Sequence, residues 1–98
     1  MTADDVIKLL KSREQELKAL GIDRLSLFGS VARGDQRADS DVDLAAEFDG
    51  SKVRTAFHQI ELENKLAGML GVPVDLLSEP ARRPRLQARL ERDRVRVF

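Results

Sequence analysis

The residues best suited to chemistry are two acids spaced two apart, Asp41 and Asp43, in the run Ser40-Asp41-Val42-Asp43-Leu44. On a β-strand, residues i and i+2 share a face and their Cα atoms lie ~6.5–7 Å apart, so the two carboxylates converge on one site. Like charges held that close repel unless a cation lies between them. Hard divalent cations favour such oxygens, and magnesium takes one or two carboxylates while keeping positions for phosphate oxygens and water. An Asp-x-Asp pair alone is most often a solvated strand edge, so the residues around it decide the reading.

Gly29-Ser30 ends eleven residues before Asp41 and follows an apolar run. A glycine there lets the backbone approach a ligand closely and turns its amides towards an anion. If Val31 to Gly34 opens a helix, the partial charge of its N-terminus adds to that anion site, with Ser30 donating its hydroxyl to a terminal phosphate. The segment is not a Walker loop, because no Lys-Ser/Thr follows Gly34. A third carboxylate is expected from another strand. Asp75, set among Val74, Leu76 and Leu77, is costly there unless paired or metal-bound, and reads as a metal ligand or as the base for an attacking hydroxyl. Arg33 has two readings: a phosphate contact, or a salt bridge that holds the turn.

These groups need a scaffold, and the apolar pattern supplies one. Thr2 and Asp5 resemble a capping box, and Val6, Leu9, Leu10, Leu17 and Leu20 recur at helical spacing, predicting a helix from Asp4 to Leu20. Strands are predicted at Arg24 to Phe28 and at Asp41 to Phe48, the second ended by Asp49-Gly50-Ser51. Lys52 to Leu70 reads as a long helix with Val53, Phe57, Ile60, Leu66 and Met69 on a broad face and Gly71 beyond its end. Val72 to Leu77 is a third strand, Pro84 opens a last helix carrying Leu86 and Leu90, and Val95 to Phe98 adds a short terminal strand. The expected fold class is α/β (α+β), a single domain over residues 1–98 with helices packed on a small mixed sheet.

Composition narrows the chemistry further. The chain has no cysteine and one histidine, His58, so thiolate nucleophiles, cysteine–zinc sites and histidine clusters are excluded, and any metal must be held by oxygen. Apolar residues make up 42% and charged residues 35%, the balance of a soluble globular protein. No apolar run approaches the ~18 residues of a membrane span, and the opening residues are acidic where a signal peptide is basic, so the cytoplasm is expected. Formal charges cancel, but seven of the twelve arginines fall between Arg82 and Arg96. That cluster reads as a solvated helix face or as a docking surface for an acidic partner or RNA. No aromatic residues interleave with it, so direct nucleic-acid binding is not expected.

The segment Gly29-Ser30-Val31-Ala32-Arg33-Gly34 through Ser40-Asp41-Val42-Asp43-Leu44 resembles the Gly-Ser-x-Ala-Arg-Gly…Ser-Asp-x-Asp-Leu signature of the DNA polymerase β-like nucleotidyltransferases, without departure from it. The short chain and the run from Asp75 to Leu86 are similar to the minimal nucleotidyltransferase (MNT) subfamily. The resemblance implies that two Mg2+ ions, held by Asp41, Asp43 and Asp75, bind a nucleoside triphosphate, with ATP as the substrate. Gly29, Ser30 and Arg33 are then the nucleotide-binding residues. A hydroxyl attacks the α-phosphorus and pyrophosphate leaves. It further implies an antitoxin that pairs with a HEPN-domain toxin, a ribonuclease, and adenylylates its tyrosine. Two alternatives stand beside it: a module that neutralises a HEPN partner by contact alone, and a transferase acting on an aminoglycoside-type small molecule.

The remaining polar residues have plainer readings. Ser40 caps or shapes the loop before the strand, and Asp35 and Asp39 are loop acids. Arg37 and His58 read as surface or packing residues, and Glu47 as solvent-exposed although it shares the face of Asp41 and Asp43.

Overall fold

A computed structural model describes residues 1–37 and 40–98. Asp39 therefore lies outside the described residues. The elements are α1 (Ala3–Lys11), α2 (Glu14–Ala19), β1 (Ile22–Phe28), α3 (Gly29–Arg33), β2 (Val42–Phe48), α4 (Ala56–Leu70), β3 (Val74–Ser78), α5 (Pro84–Asp93) and β4 (Val95–Arg96). The four strands form one sheet in the order β3-β2-β1-β4, with β2 and β3 parallel and the other pairs antiparallel. This is the mixed α+β arrangement expected from the sequence.

Alternation along the strands sorts their side chains onto two faces. Leu25 and Leu27 of β1 pair across to Ala46 and Leu44 of β2, and these residues belong to the main core with Val6, Leu10, Leu17, Leu62, Leu66 and Leu70 of α1, α2 and α4. Ser26, Phe28, Asp43 and Ala45 point the other way. On that second face α5 packs, anchored by the fully buried Leu90. A sheet buried on one face and half covered by a single helix on the other leaves room beside that helix for a cleft.

Several boundaries differ from the sequence reading. The helix expected from Asp4 to Leu20 is broken into α1 and α2, because the Ser12 hydroxyl bonds back to the Leu9 carbonyl and Arg13 N–H turns to the Leu10 carbonyl at 3.0 Å. A serine that competes for the backbone in this way ends a helix turn. β1 starts earlier than expected, since Ile22 pairs with Phe48 across a bulge. α4 starts at Ala56 and not at Lys52: Thr55 caps it by accepting the His58 N–H at 3.3 Å, while Lys52 and Val53 complete a turn on the Asp49 carbonyl. The broad apolar face also narrows. Leu62, Leu66 and Leu70 form the buried stripe at i, i+4 spacing, whereas Phe57 and Ile60 lie off it, 78% and 52% exposed. β3 runs from Val74, after Pro73 has accepted the Val42 N–H on its carbonyl. Pro84 opens α5, and Val97 and Phe98 continue to bond Leu25 beyond β4.

The link between α5 and the sheet is an ion pair. Arg94, at the C-terminal end of α5, donates Nη1 to Glu79 Oε2 at 3.0 Å and to the Ser26 hydroxyl at 3.2 Å, and its Nη2 also engages Glu79. Glu79 is itself tied to the sheet, its N–H bonding the Ala46 carbonyl at 2.9 Å. The Glu79 side chain is only 7% exposed, so removing its partner strands a buried carboxylate. Arg94→Ala is expected to cost about 3 kcal/mol in denaturant unfolding, and pairing it with Glu79→Gln is expected to recover part of that loss.

Candidate functional site

The sheet registers bring the sequence motif to one place. The antiparallel pairing of β1 with β2 sets Phe28 opposite Asp43, so Gly29 begins α3 directly beside that aspartate. The parallel pairing of β2 with β3 sets Asp75 opposite Asp43, and neighbouring strands lie about 4.8 Å apart. Both carboxylates therefore leave the same face of adjacent strands. Between this face and α5 lies a cleft of about 310 Å³, lined by Phe28, Gly29, Ser30, Arg33, Asp43, Asp75, Leu77, Leu86, Arg89 and Asp93.

Gly29 shows why the motif needs a glycine. Its φ is +74°, a backbone conformation that side chains oppose, and an added Cβ would collide with the Asp43 carboxylate, whose Cγ would stand 3.0 Å away. α3 then turns once and stops at Gly34, with φ +79°, where the Asp35 N–H bonds the Ser30 carbonyl at 3.0 Å. This short helix is the turn anticipated from Val31, opening two residues earlier, at Gly29. Ser40 shapes the loop that follows by accepting the Arg37 N–H on its hydroxyl at 2.8 Å.

The structure gathers Gly29, Ser30, Arg33, Asp43 and Asp75 on the cleft. Asp41 stands apart from its lining, exposed and one residue before β2 begins, yet close enough to act on Asp43 electrostatically. Among the described residues no three carboxylates or histidines are drawn into a closed metal-binding group. Arg33 takes the salt-bridge reading in this state: Nε reaches Asp35 at 3.2 Å and Nη1 reaches Asp93 at 2.8 Å. Glu47 pairs with Arg24 on the surface, and His58 accepts the Arg54 N–H at the start of α4, both away from the cleft.

The α5 wall, made of Leu86, Arg89 and Asp93, escaped the sequence reading. Those residues recur at helical spacing, but nothing in the sequence says which helix crosses the Asp43 face. Within the arginine-rich stretch the residues separate in kind, with Arg94 tied to Glu79, Arg89 facing the cleft, and Arg82, Arg83, Arg85 and Arg92 exposed.

Asp43 carries the electrostatic signature of the site. Its carboxyl is held above the usual aspartate range, first by burial and then by the neighbouring charges of Asp75 and Asp41, with Arg33 pulling weakly the other way. A carboxyl raised in the folded state favours the fold most below the unfolded pKa of about 3.9, and that contribution is lost as pH rises through the higher folded value. The charged form of Asp43 is therefore disfavoured by burial and by those neighbouring charges. Asp43→Asn removes it, so the variant is expected to melt above the wild type at pH 7 in a chelator. The difference should shrink as the pH falls through the carboxylate range, and thermal unfolding followed by circular dichroism across that range checks both parts.

With the geometry in place, comparison with known proteins identifies the family. Residues 6–97 match the model of the nucleotidyltransferase domain. The chain is 33% identical over 78 residues to the protein adenylyltransferase MntA of Thermococcus cleftensis, a match covering 79% of this chain and 77% of that one. Among solved structures it is similar to a toxin–antitoxin with AMP-PNP, with a TM-score of 0.73 at 23% identity over 90% of this chain and 72% of the other. It is also similar to a chain of the tri-AMPylated Shewanella oneidensis HEPN toxin in complex with MNT antitoxin, with a TM-score of 0.67 at 20% identity over 94% and 71%. These two likenesses speak for the fold, while the family match and the relative of higher identity carry more: this chain belongs to the nucleotidyltransferase domain family.

Proposed function

We propose that the chain transfers AMP from ATP to a hydroxyl of a protein partner, that this partner is a HEPN-domain toxin modified on tyrosine, and that the transfer makes the chain its antitoxin. The observation that carries the chemistry is the pairing of Asp43 with Asp75 on adjacent parallel strands beside Gly29-Ser30. The identity of donor and acceptor draws support from the adenylyltransferase relative and from the AMPylated complex among the fold's neighbours.

The donor set suits magnesium. Among the described residues only oxygen ligands are present on the cleft, and Asp43 is lifted first by burial and then by the charges of Asp75 and Asp41, a repulsion of the kind a divalent cation relieves. A closed three-carboxylate cage is not required, because magnesium keeps positions for phosphate oxygens and water. In this reading Asp43 and Asp75 would hold the metal, with Asp41 joining from the strand end, and two ions bound there would neutralise the triphosphate and acidify the acceptor hydroxyl. Ser30 donates its hydroxyl to a phosphate oxygen, and Gly29 allows the chain to pass close enough for it to do so. In the same reading Asp75 accepts the proton as the acceptor oxygen bonds to the α-phosphorus, while the bond from that phosphorus to the bridging oxygen breaks and pyrophosphate departs. The cleft is open and small, which fits an acceptor presented by another folded protein.

Incubation with α-labelled ATP, magnesium and a cognate HEPN protein tests this reading. Label is expected on the partner with the wild type and a loss of at least about a hundredfold with Asp41→Asn or Asp43→Asn, the scale on which transition-state electrostatics act. Neutralisation of the toxin by those variants without label transfer would instead favour a module that works by contact.

A further inference from the structure

We infer that Arg89 is a polyphosphate-binding residue, contacting the triphosphate from the α5 side of the cleft, opposite Ser30. The inference rests on the nucleotidyltransferase reading of the site and adds a residue that the Gly29–Leu44 motif does not contain.

Two arginines line the cleft, and they differ in what they already hold. Arg33 already holds two carboxylates, Asp35 through Nε and Asp93 through Nη1. Arg89 has no ion-pair partner among the described residues, although Asp93 lies one turn away on the same helix and Asp43 and Asp75 line the same cleft. Its position is fixed by its neighbours. Leu86, Arg89 and Asp93 recur at three and four residues, so they share a face of α5, and the buried Leu90 beside them holds that helix to the sheet. The Arg94 pair with Glu79 anchors the helix at its C-terminal end. An exposed guanidinium is thus carried on an anchored helix and turned towards a pocket whose other wall is acidic.

The chemistry follows from the charges. The carboxylate wall attracts a cation, and a triphosphate drawn to that cation presents its outer oxygens to the remaining walls. A guanidinium offers a planar fork of donors matched to phosphate, and its charge persists at any working pH. With Arg33 committed to Asp35 and Asp93, Arg89 is the cleft's available fork among the described residues. Such a contact discriminates by the length of the phosphate chain, because a monophosphate lacks the β and γ oxygens that it would grip.

Calorimetric titration with magnesium and a non-hydrolysable ATP analogue, compared with AMP, tests this on the whole chain. Arg89→Ala is expected to weaken triphosphate binding about ten- to a hundredfold while changing AMP binding far less, and Arg89→Lys is expected to fall between, since it keeps the charge and loses the fork. Circular dichroism establishes that each variant is folded; should Arg89→Ala fail to fold, Arg89→Gln takes its place. Triphosphate binding equal to the wild type, or an equal loss for AMP, overturns the role of Arg89 and leaves the parent reading standing. A wild type that binds no triphosphate overturns both.

Discussion

The arrangement turns on the repulsion between carboxylates that the β2–β3 register sets side by side. Asp43 and Asp75 stand opposite one another on parallel strands, with Asp41 close by, and Asp43 is held above its ordinary range by burial and by those charges. A fold gains nothing from such a pair in the absence of a counter-charge, and proteins that keep one generally do so for function. The surrounding structure reads as the means of holding it. The Leu-rich core on the opposite face fixes the strands, and Gly29 yields the space beside Asp43 that any Cβ would occupy.

The other wall depends on a different kind of contact. α5 buries Leu90 on the Asp43 face of the sheet and is fastened by Arg94 to Glu79 and Ser26, a charged anchor in a chain whose other ion pairs are mostly at the surface. Isolated surface pairs contribute little, but a pair with one nearly buried member fixes position because neither charge has a better place to go. The Arg33–Asp93 pair spans the same cleft from α3 to α5 and ties the motif to this wall. The cleft is therefore closed on one side by main-chain register and on the other by charge.

How much of this could be read from residues alone depended on how local each feature was. The Gly29-Ser30 turn, its short helix and the strand that carries Asp43 are set by φ preference and by period two and lie close to where the pattern placed them, but the helix opens at Gly29 and not at Val31, and Asp41 falls one residue before β2 and off the cleft lining. Asp75 was singled out as an acid within an apolar strand, yet it is exposed there, so what distinguishes it is its register opposite Asp43 and not a cost of burial. The interruption at Ser12 was not visible, since the helical spacing continues through it and a single hydroxyl bond decides the outcome. Phe57 and Ile60 misled for the opposite reason, as apolar residues at helical spacing that the 62/66/70 stripe leaves in solvent. Arg89 and Asp93 were hidden in a run of arginines, because only the crossing of α5 over the sheet distinguishes a cleft residue from a solvated one.

Electron paramagnetic resonance of Mn2+, standing in for magnesium, tests the central claim most directly. A titration in the presence of a non-hydrolysable triphosphate should show manganese retained by the protein–nucleotide complex beyond what nucleotide alone holds, and that excess should vanish when Asp43 and Asp75 are both changed to asparagine. Manganese occupancy identical in the wild type and the doubly substituted protein would show that the facing acids hold no cation, and would contradict the account at its base.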